Sequence, residues 1–112
     1  MSVSGVLFSV GVCVCDLLIF FPQALYTDAA GLRTAFAEHW AHVASALAGE
    51  PAVLAHDLLN EPWPGDTNRP NFTFPNIIQV ERSLILPFYR AIAAAIRKVD
   101  RRHIIAYEPV RT

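Results

Sequence analysis

Asn60, Glu61 and Trp63 stand almost side by side in Asp57-Leu58-Leu59-Asn60-Glu61-Pro62-Trp63, directly after a run of apolar residues. An amide, a carboxyl and an indole in this order suit the cleavage of a glycosidic bond. That reaction passes through an oxocarbenium-like transition state and needs a proton for the leaving oxygen. Its retaining version also needs a second carboxylate as nucleophile, about 5–5.5 Å away. Glu61 has the chemistry of the proton donor. Asn60 can hydrogen-bond a sugar 2-hydroxyl, and Trp63 offers a flat face to a sugar ring. Spacing alone leaves a plainer reading open, in which Glu61 is a solvated carboxylate at a strand end and Trp63 a packed rim residue.

The surrounding elements decide where these groups would sit. Ala52 to Leu59, bounded by Pro51 and Pro62, predicts a parallel strand buried on both faces, its C-terminal end delivering Asn60 and Glu61. Upstream, Thr27 or Asp28 can cap a helix whose apolar positions Leu32, Phe36, Trp40, Val43 and Leu47 recur every three or four residues, until Gly49 and Pro51 stop it. Downstream, Trp63 to Pro75 is too rich in proline, glycine, asparagine and aspartate for regular structure and predicts a long loop beside the carboxylate. A second helix is expected over Asn76–Val99, with Leu84, Phe88, Ile92 and Ile96 on one stripe and Pro87 as a kink. His103 to Tyr107 then predicts a second strand, again ending in a carboxylate and a proline at Glu108-Pro109. Strand, loop, helix, strand is a crossover unit. In a barrel of such units the C-terminal strand ends face the site, so Asn60, Glu61 and Glu108 would share one mouth.

The segment Asp57 to Asp66 resembles the acid/base segment of cellulase-like glycoside hydrolases of family five, in clan A, and within them most of all the endoglycoceramidase branch. Ala24-Leu25-Tyr26-Thr27-Asp28 through Phe36, Trp40 and Val43, then Gly49 to Leu54, is similar to the helix leading into that strand. Pro87-Phe88-Tyr89 and Ile105-Ala106-Tyr107-Glu108-Pro109 fit the same branch. The resemblance covers residues 24–112. It implies an α/β fold, a partial (β/α)8 TIM barrel comprising about the fourth and fifth strands with their helices. It further implies a retaining hydrolase of the β-glycosidic bond between an oligosaccharide and ceramide, with Glu61 as acid/base and Asn60 as its neighbour, and neither metal nor organic cofactor; Asn60, Trp63 and Glu108 are the candidate substrate-binding residues. The partner implied is a carbohydrate or glycolipid substrate. Members of the family carry the nucleophile near the end of the seventh strand, so no nucleophile is expected in this chain. Glu108, one unit beyond Glu61, is expected to be either a mouth-lining carboxylate that touches substrate or a structural one.

At 112 residues the chain is far shorter than the roughly 250 of a closed barrel. Its 54% hydrophobic content exceeds the soluble average of about 45–50%. Apolar faces therefore lack neighbours to cover them, and marginal or no independent folding is expected. The alternative function is accordingly an inactive fragment or pseudoenzyme, or a weak carbohydrate-binding module. A net charge of −1 excludes a basic field for nucleic acid. Residues 1–23 form an apolar segment whose run from Val6 to Phe21 contains Asp16 and falls short of the roughly 20 residues of a membrane span. It lacks the basic residues that open a signal peptide, and it reads as buried strand, aberrant terminus, signal or lipid anchor. Cys13 and Cys15 match no redox or zinc spacing and read as buried thiols. His39 and His42 share a helix face without the His-Glu-x-x-His pattern, His56 reads as a structural histidine, and His103 as the opening of a strand. Asn71-Phe72-Thr73 is an N-glycosylation sequon, meaningful only in the secretory pathway.

Overall fold

A computed structural model of the chain describes residues 23–63 and 74–110. The apolar segment, Cys13 and Cys15, the sequon at Asn71 and the breaker-rich stretch 64–73 lie outside the described residues. Among the described residues no helix is long and apolar enough to cross a membrane.

After a helical segment over residues 23–27, a single 3-10 turn at Ala29–Gly31 leads into helix α1, Leu32–Leu47. Asp28 and Gly31 both take left-handed backbone angles there, φ 63° and 76°. Asp28 rather than Thr27 supplies the cap. Its carboxylate accepts the Thr34 N–H at 2.9 Å and the Thr34 hydroxyl at 2.8 Å. Those two bonds, the backbone one foremost, hold the Asp28 carboxyl below its ordinary pKa. Thr27 instead donates its hydroxyl back to the Gln23 carbonyl. The α1 face against the core is lined by Ala37 and Ala44, both buried, with Phe36 and Trp40 packed beside them. The apolar stripe expected from the sequence is thus rotated, because the small alanines let α1 lie close to the helix it packs on.

Strand β1, Ala55–Asp57, and strand β2, Ile104–Ala106, pair in parallel with Ala55 opposite Ile104, His56 opposite Ile105 and Asp57 opposite Ala106. Both are shorter than the runs 52–59 and 103–107 promised. Among the described residues each has one neighbour, so the ladder satisfies one edge only and gives way to single bonds at its ends. These are Ile104 N–H to the Leu54 carbonyl (3.3 Å) and Leu58 N–H to the Ala106 carbonyl (3.2 Å).

The helical crossover between the strands is continuous but not uniform. Helix α2, Phe74–Val80, passes into a π-helical turn, Glu81–Ile85, and then into helix α3, Leu86–Arg97. Pro87 explains the turn. Proline donates no N–H, and its ring would collide with the carbonyl four residues back. The wider π register, in which Leu86 N–H reaches the Glu81 carbonyl, accommodates it without breaking the helix. The kink expected at Pro87 is therefore a one-residue insertion. It shifts the stripe, so that Ile85 is fully buried with Phe88, Tyr89, Ile92 and Ile96 while Leu84 only flanks them. Phe88 is the hub of the core. Its ring meets Tyr26 edge-on at 5.2 Å, stacks on Phe36 at 5.6 Å and leans on Tyr89 at 5.5 Å.

Candidate functional site

The chain leaves β1 through buried Leu58 and turns sharply, exposing Asn60 and Glu61 before Pro62 returns to the interior. Glu61 adopts φ 46°, a left-handed conformation. For a residue with a Cβ this costs roughly 1–2 kcal/mol and persists only where neighbours over-determine it.

Those neighbours can be named. The Glu61 N–H donates to Glu108 Oε2 at 2.9 Å. The Tyr89 hydroxyl donates to the Glu108 carbonyl at 3.0 Å and lies 3.4 Å from the Leu59 carbonyl. The Tyr26 hydroxyl donates to the Trp63 carbonyl at 3.0 Å. The 59–63 turn is held in its middle by Glu108 and at its end by Tyr26, and Tyr89 fixes the backbone from which Glu108 reaches. Burial pushes both phenols up to about 12, against the opposing pull of the carbonyls they bond.

The structure places all four sequence-derived site residues at the C-terminal ends of the two strands. Glu61 and Glu108 are in direct contact, and Asn60 is exposed beside them. The Trp63 side chain is half exposed, at 49%, as is that of Tyr107, at 54%, whose ring packs on Tyr89 at 5.2 Å. The arrangement presents one carboxylic acid, a neighbouring amide and two aromatic faces to solvent, on a turn fixed from beneath. It can deliver or accept a proton at a bound polar ligand. Sequence reasoning did not foresee the tyrosine anchors, because a side chain bonded to a backbone carbonyl leaves no mark in residue spacing.

A second polar cluster lies buried at the other side of the strand pair. Asp100 Oδ2 accepts from His56 Nε2 at 2.8 Å and from His103 Nδ1 at 2.6 Å, while Oδ1 accepts the backbone N–H groups of Arg102 and His103. The bond from His56, then those from His103 and the two amides, outweigh burial and hold the Asp100 carboxyl well below the usual carboxylate range. His103 is therefore not merely the first residue of a strand. Its Nε2 also meets the Glu50 carbonyl at 3.1 Å, so both ring nitrogens face acceptors and both bonds form together only when each nitrogen carries hydrogen. His56 packs inward against Trp40, in the structural role expected of it. The signal for Asp100 was present in the sequence: it is a lone acid just after a helix C-terminus, where the dipole disfavours a carboxylate.

Among the described residues, His56, Asp100 and His103 are also the group whose ligand atoms come within 4.8 Å of one another. A tetrahedral zinc site with bonds of about 2.0–2.1 Å would hold such atoms roughly 3.3 Å apart. Separations of 2.6 and 2.8 Å are those of hydrogen bonds, and the cluster is built as a hydrogen-bonded knot. His39 and His42 are exposed on α1.

Residues 18–110 match the family described as Cellulase (glycosyl hydrolase family 5). The chain is 35% identical over 89 residues to an endoglycoceramidase of Hydra vulgaris, and 37% identical over 89 residues to an endoglycoceramidase of Cyanea nozakii. Each alignment covers 79% of this chain and 17% of the relative, so the chain spans about a sixth of the length of these curated relatives. No solved structure matches it.

Proposed function

The chain belongs to glycosyl hydrolase family 5, the cellulase family, and on that footing we propose that it carries the acid/base carboxylate of a retaining β-glycosidase. In this reading residues 24–112 form about the fourth and fifth β/α units of a (β/α)8 barrel. The bond cleaved is the one joining a glycan to ceramide. The observation that carries the reading is the left-handed turn at the end of β1, which fixes Glu61 beside Asn60 and in contact with Glu108. A family that acts on glycosides supplies the substrate class, a carbohydrate. The glycolipid is taken from the names of the two relatives.

Two steps follow from the chemistry. In the first, the Glu61 carboxyl passes its proton to the glycosidic oxygen as the bond to the anomeric carbon breaks, while a second carboxylate closes on that carbon to form a glycosyl ester. In the next, Glu61, now ionised, takes a proton from water. The oxygen so activated attacks the ester, releasing the sugar and the free carboxylate. Asn60 stands where a sugar 2-hydroxyl can be bonded, and Trp63 offers the ring face. Glu108 is engaged through Oε2 with the Glu61 main chain, which unsuits it as nucleophile. That group is proposed to come from polypeptide outside residues 24–112.

The test is hydrolysis of a fluorescent glycosylceramide and an activated aryl β-glucoside by residues 24–112 joined to the polypeptide that supplies the second carboxylate, comparing Glu61 with Glu61→Gln. Losing a general acid/base costs about 10²–10⁴-fold. The loss should be larger for glycosylceramide, whose leaving alkoxide needs the proton more than a phenolate does. Equal turnover by Glu61→Gln on both substrates would remove Glu61 from the chemistry.

A further inference from the structure

We infer that Glu108 is the positioning residue of the site: its carboxylate holds the Glu61 main chain in the left-handed conformation that aims the Glu61 side chain, an assignment that rests on Glu61 being the acid/base. The chain of geometry is short. Tyr89 fixes the Glu108 backbone by bonding its carbonyl at 3.0 Å, and from that fixed point the Glu108 side chain reaches across to accept the Glu61 N–H at 2.9 Å. Holding that N–H holds the φ of Glu61 at 46°, and φ with the fixed carbonyl of Trp63 sets the direction of its Cα–Cβ bond. A carboxylate is the strongest acceptor a side chain can offer a backbone N–H, which suits a contact that must keep a non-glycine residue in a disfavoured region.

The register of the strands makes the contact possible. Asp57 and Ala106 are partners, so the chain leaves β1 and β2 at the same level. Glu108 lies two residues beyond its strand and Glu61 four beyond its own. The two extra residues of the first exit are taken up by the turn that doubles Glu61 back over the end of β2. Glu108 therefore touches the acid/base through its main chain, and it acts on the reaction through Glu61 rather than through substrate.

Two measurements test this, the first on the chain itself and the second on the chain joined to the polypeptide that supplies the second carboxylate. The first reads the amide proton of residue 61 by NMR in Glu61→Gln, where that residue has no titrating side chain of its own. Its amide should sit downfield, and that shift should shrink in the double variant Glu61→Gln with Glu108→Gln and be lost in Glu61→Gln with Glu108→Ala. The second measurement is hydrolysis by Glu108→Gln and Glu108→Ala. Glutamine keeps an oxygen acceptor and should retain kcat within about tenfold, whereas alanine should lower kcat about a hundredfold with KM little changed, as misplacing a catalytic group does. An amide at residue 61 that is unmoved by Glu108→Ala, or an alanine variant as active as the glutamine one, overturns the assignment. An amide that responds to Glu108→Ala in a protein whose hydrolysis does not depend on Glu61 keeps the contact and overturns the acid/base reading instead.

Discussion

Tyr89→Phe removes one oxygen from the floor of the site and nothing else. The ring of Tyr89 packs between Phe88 and Tyr107 at 5.5 and 5.2 Å, and phenylalanine keeps those contacts, so no cavity opens. A phenol has one hydrogen to give. The shorter contact, 3.0 Å to the Glu108 carbonyl, takes it, and the Leu59 carbonyl at 3.4 Å gains little. Deleting the hydroxyl therefore costs one net hydrogen bond, about 1 kcal/mol, rising to roughly 2 kcal/mol because the Glu108 carbonyl is left without its partner in a part-buried place. For a chain of this size that corresponds to a fall in Tm of about 4–8 °C. A second signature lies in the pH dependence. The phenol pKa is raised from 10.0 to about 12 on folding, as is that of Tyr26. The folded state thus favours the protonated phenol, and this contribution is full below pH 10 and lost as pH rises towards about 12. Tyr89→Phe should remove its share of the alkaline loss and leave that of Tyr26. Thermal melts followed by circular dichroism, repeated between pH 8 and 12, measure both effects. A Tm within about 1 °C of wild type together with an unchanged alkaline limb would refute the anchor.

Phe88→Ala takes out the ring shared by Tyr26, Phe36 and Tyr89, and its cost of about 3–5 kcal/mol is a large part of the 5–15 kcal/mol that holds most domains together. A urea titration should show the midpoint collapse, and a midpoint near wild type would mean that the described core is not what holds the chain. Asp100→Asn should destabilise the chain at neutral pH, because an amide has one oxygen: where it accepts from the two imidazoles, its NH2 group faces the backbone N–H groups of Arg102 and His103. The Asp100 carboxyl is held below its ordinary range, so its contribution is present above the unfolded value near 3.9 and is lost as pH falls towards the depressed folded value. The acid limb of the stability curve should therefore be shallower in Asp100→Asn, and an identical acid limb would dissociate the knot from folding.

The sequence made the crossover and the strand ends legible for physical reasons. Pro51 and Pro62 bracket an apolar run too short for a helix, the three- and four-residue recurrence in 32–47 and 84–96 suits nothing but helices, and Glu61 and Glu108 each follow a strand-like run directly. What stayed hidden was whatever depends on a partner distant in sequence. The extra residue of the π turn is invisible to periodicity, although Pro87 marks its place, and it exchanged Leu84 for Ile85 in the core. Tyr26 and Tyr89 stand outside the stripes that the three- and four-residue spacing picks out, and the bonds of their hydroxyls to carbonyls 37 and 19 residues away leave no mark in that spacing.

The two polar clusters are connected through the strands that separate them. His56 comes from the middle of β1 and His103 from just before β2, and Asp100 binds both through one oxygen, so the knot fixes how far one strand is slid along the other. A slip of one residue would turn every side chain of a strand to the opposite face. It would carry His56 away from Asp100 and, at the other end, Glu108 away from the Glu61 N–H. Two strands of three residues each have little ladder with which to resist such a slip. The buried knot supplies the resistance at one end and the tyrosine anchors supply it at the other. On the proposed reading, the aim of Glu61 is thus set by contacts that never touch its carboxyl.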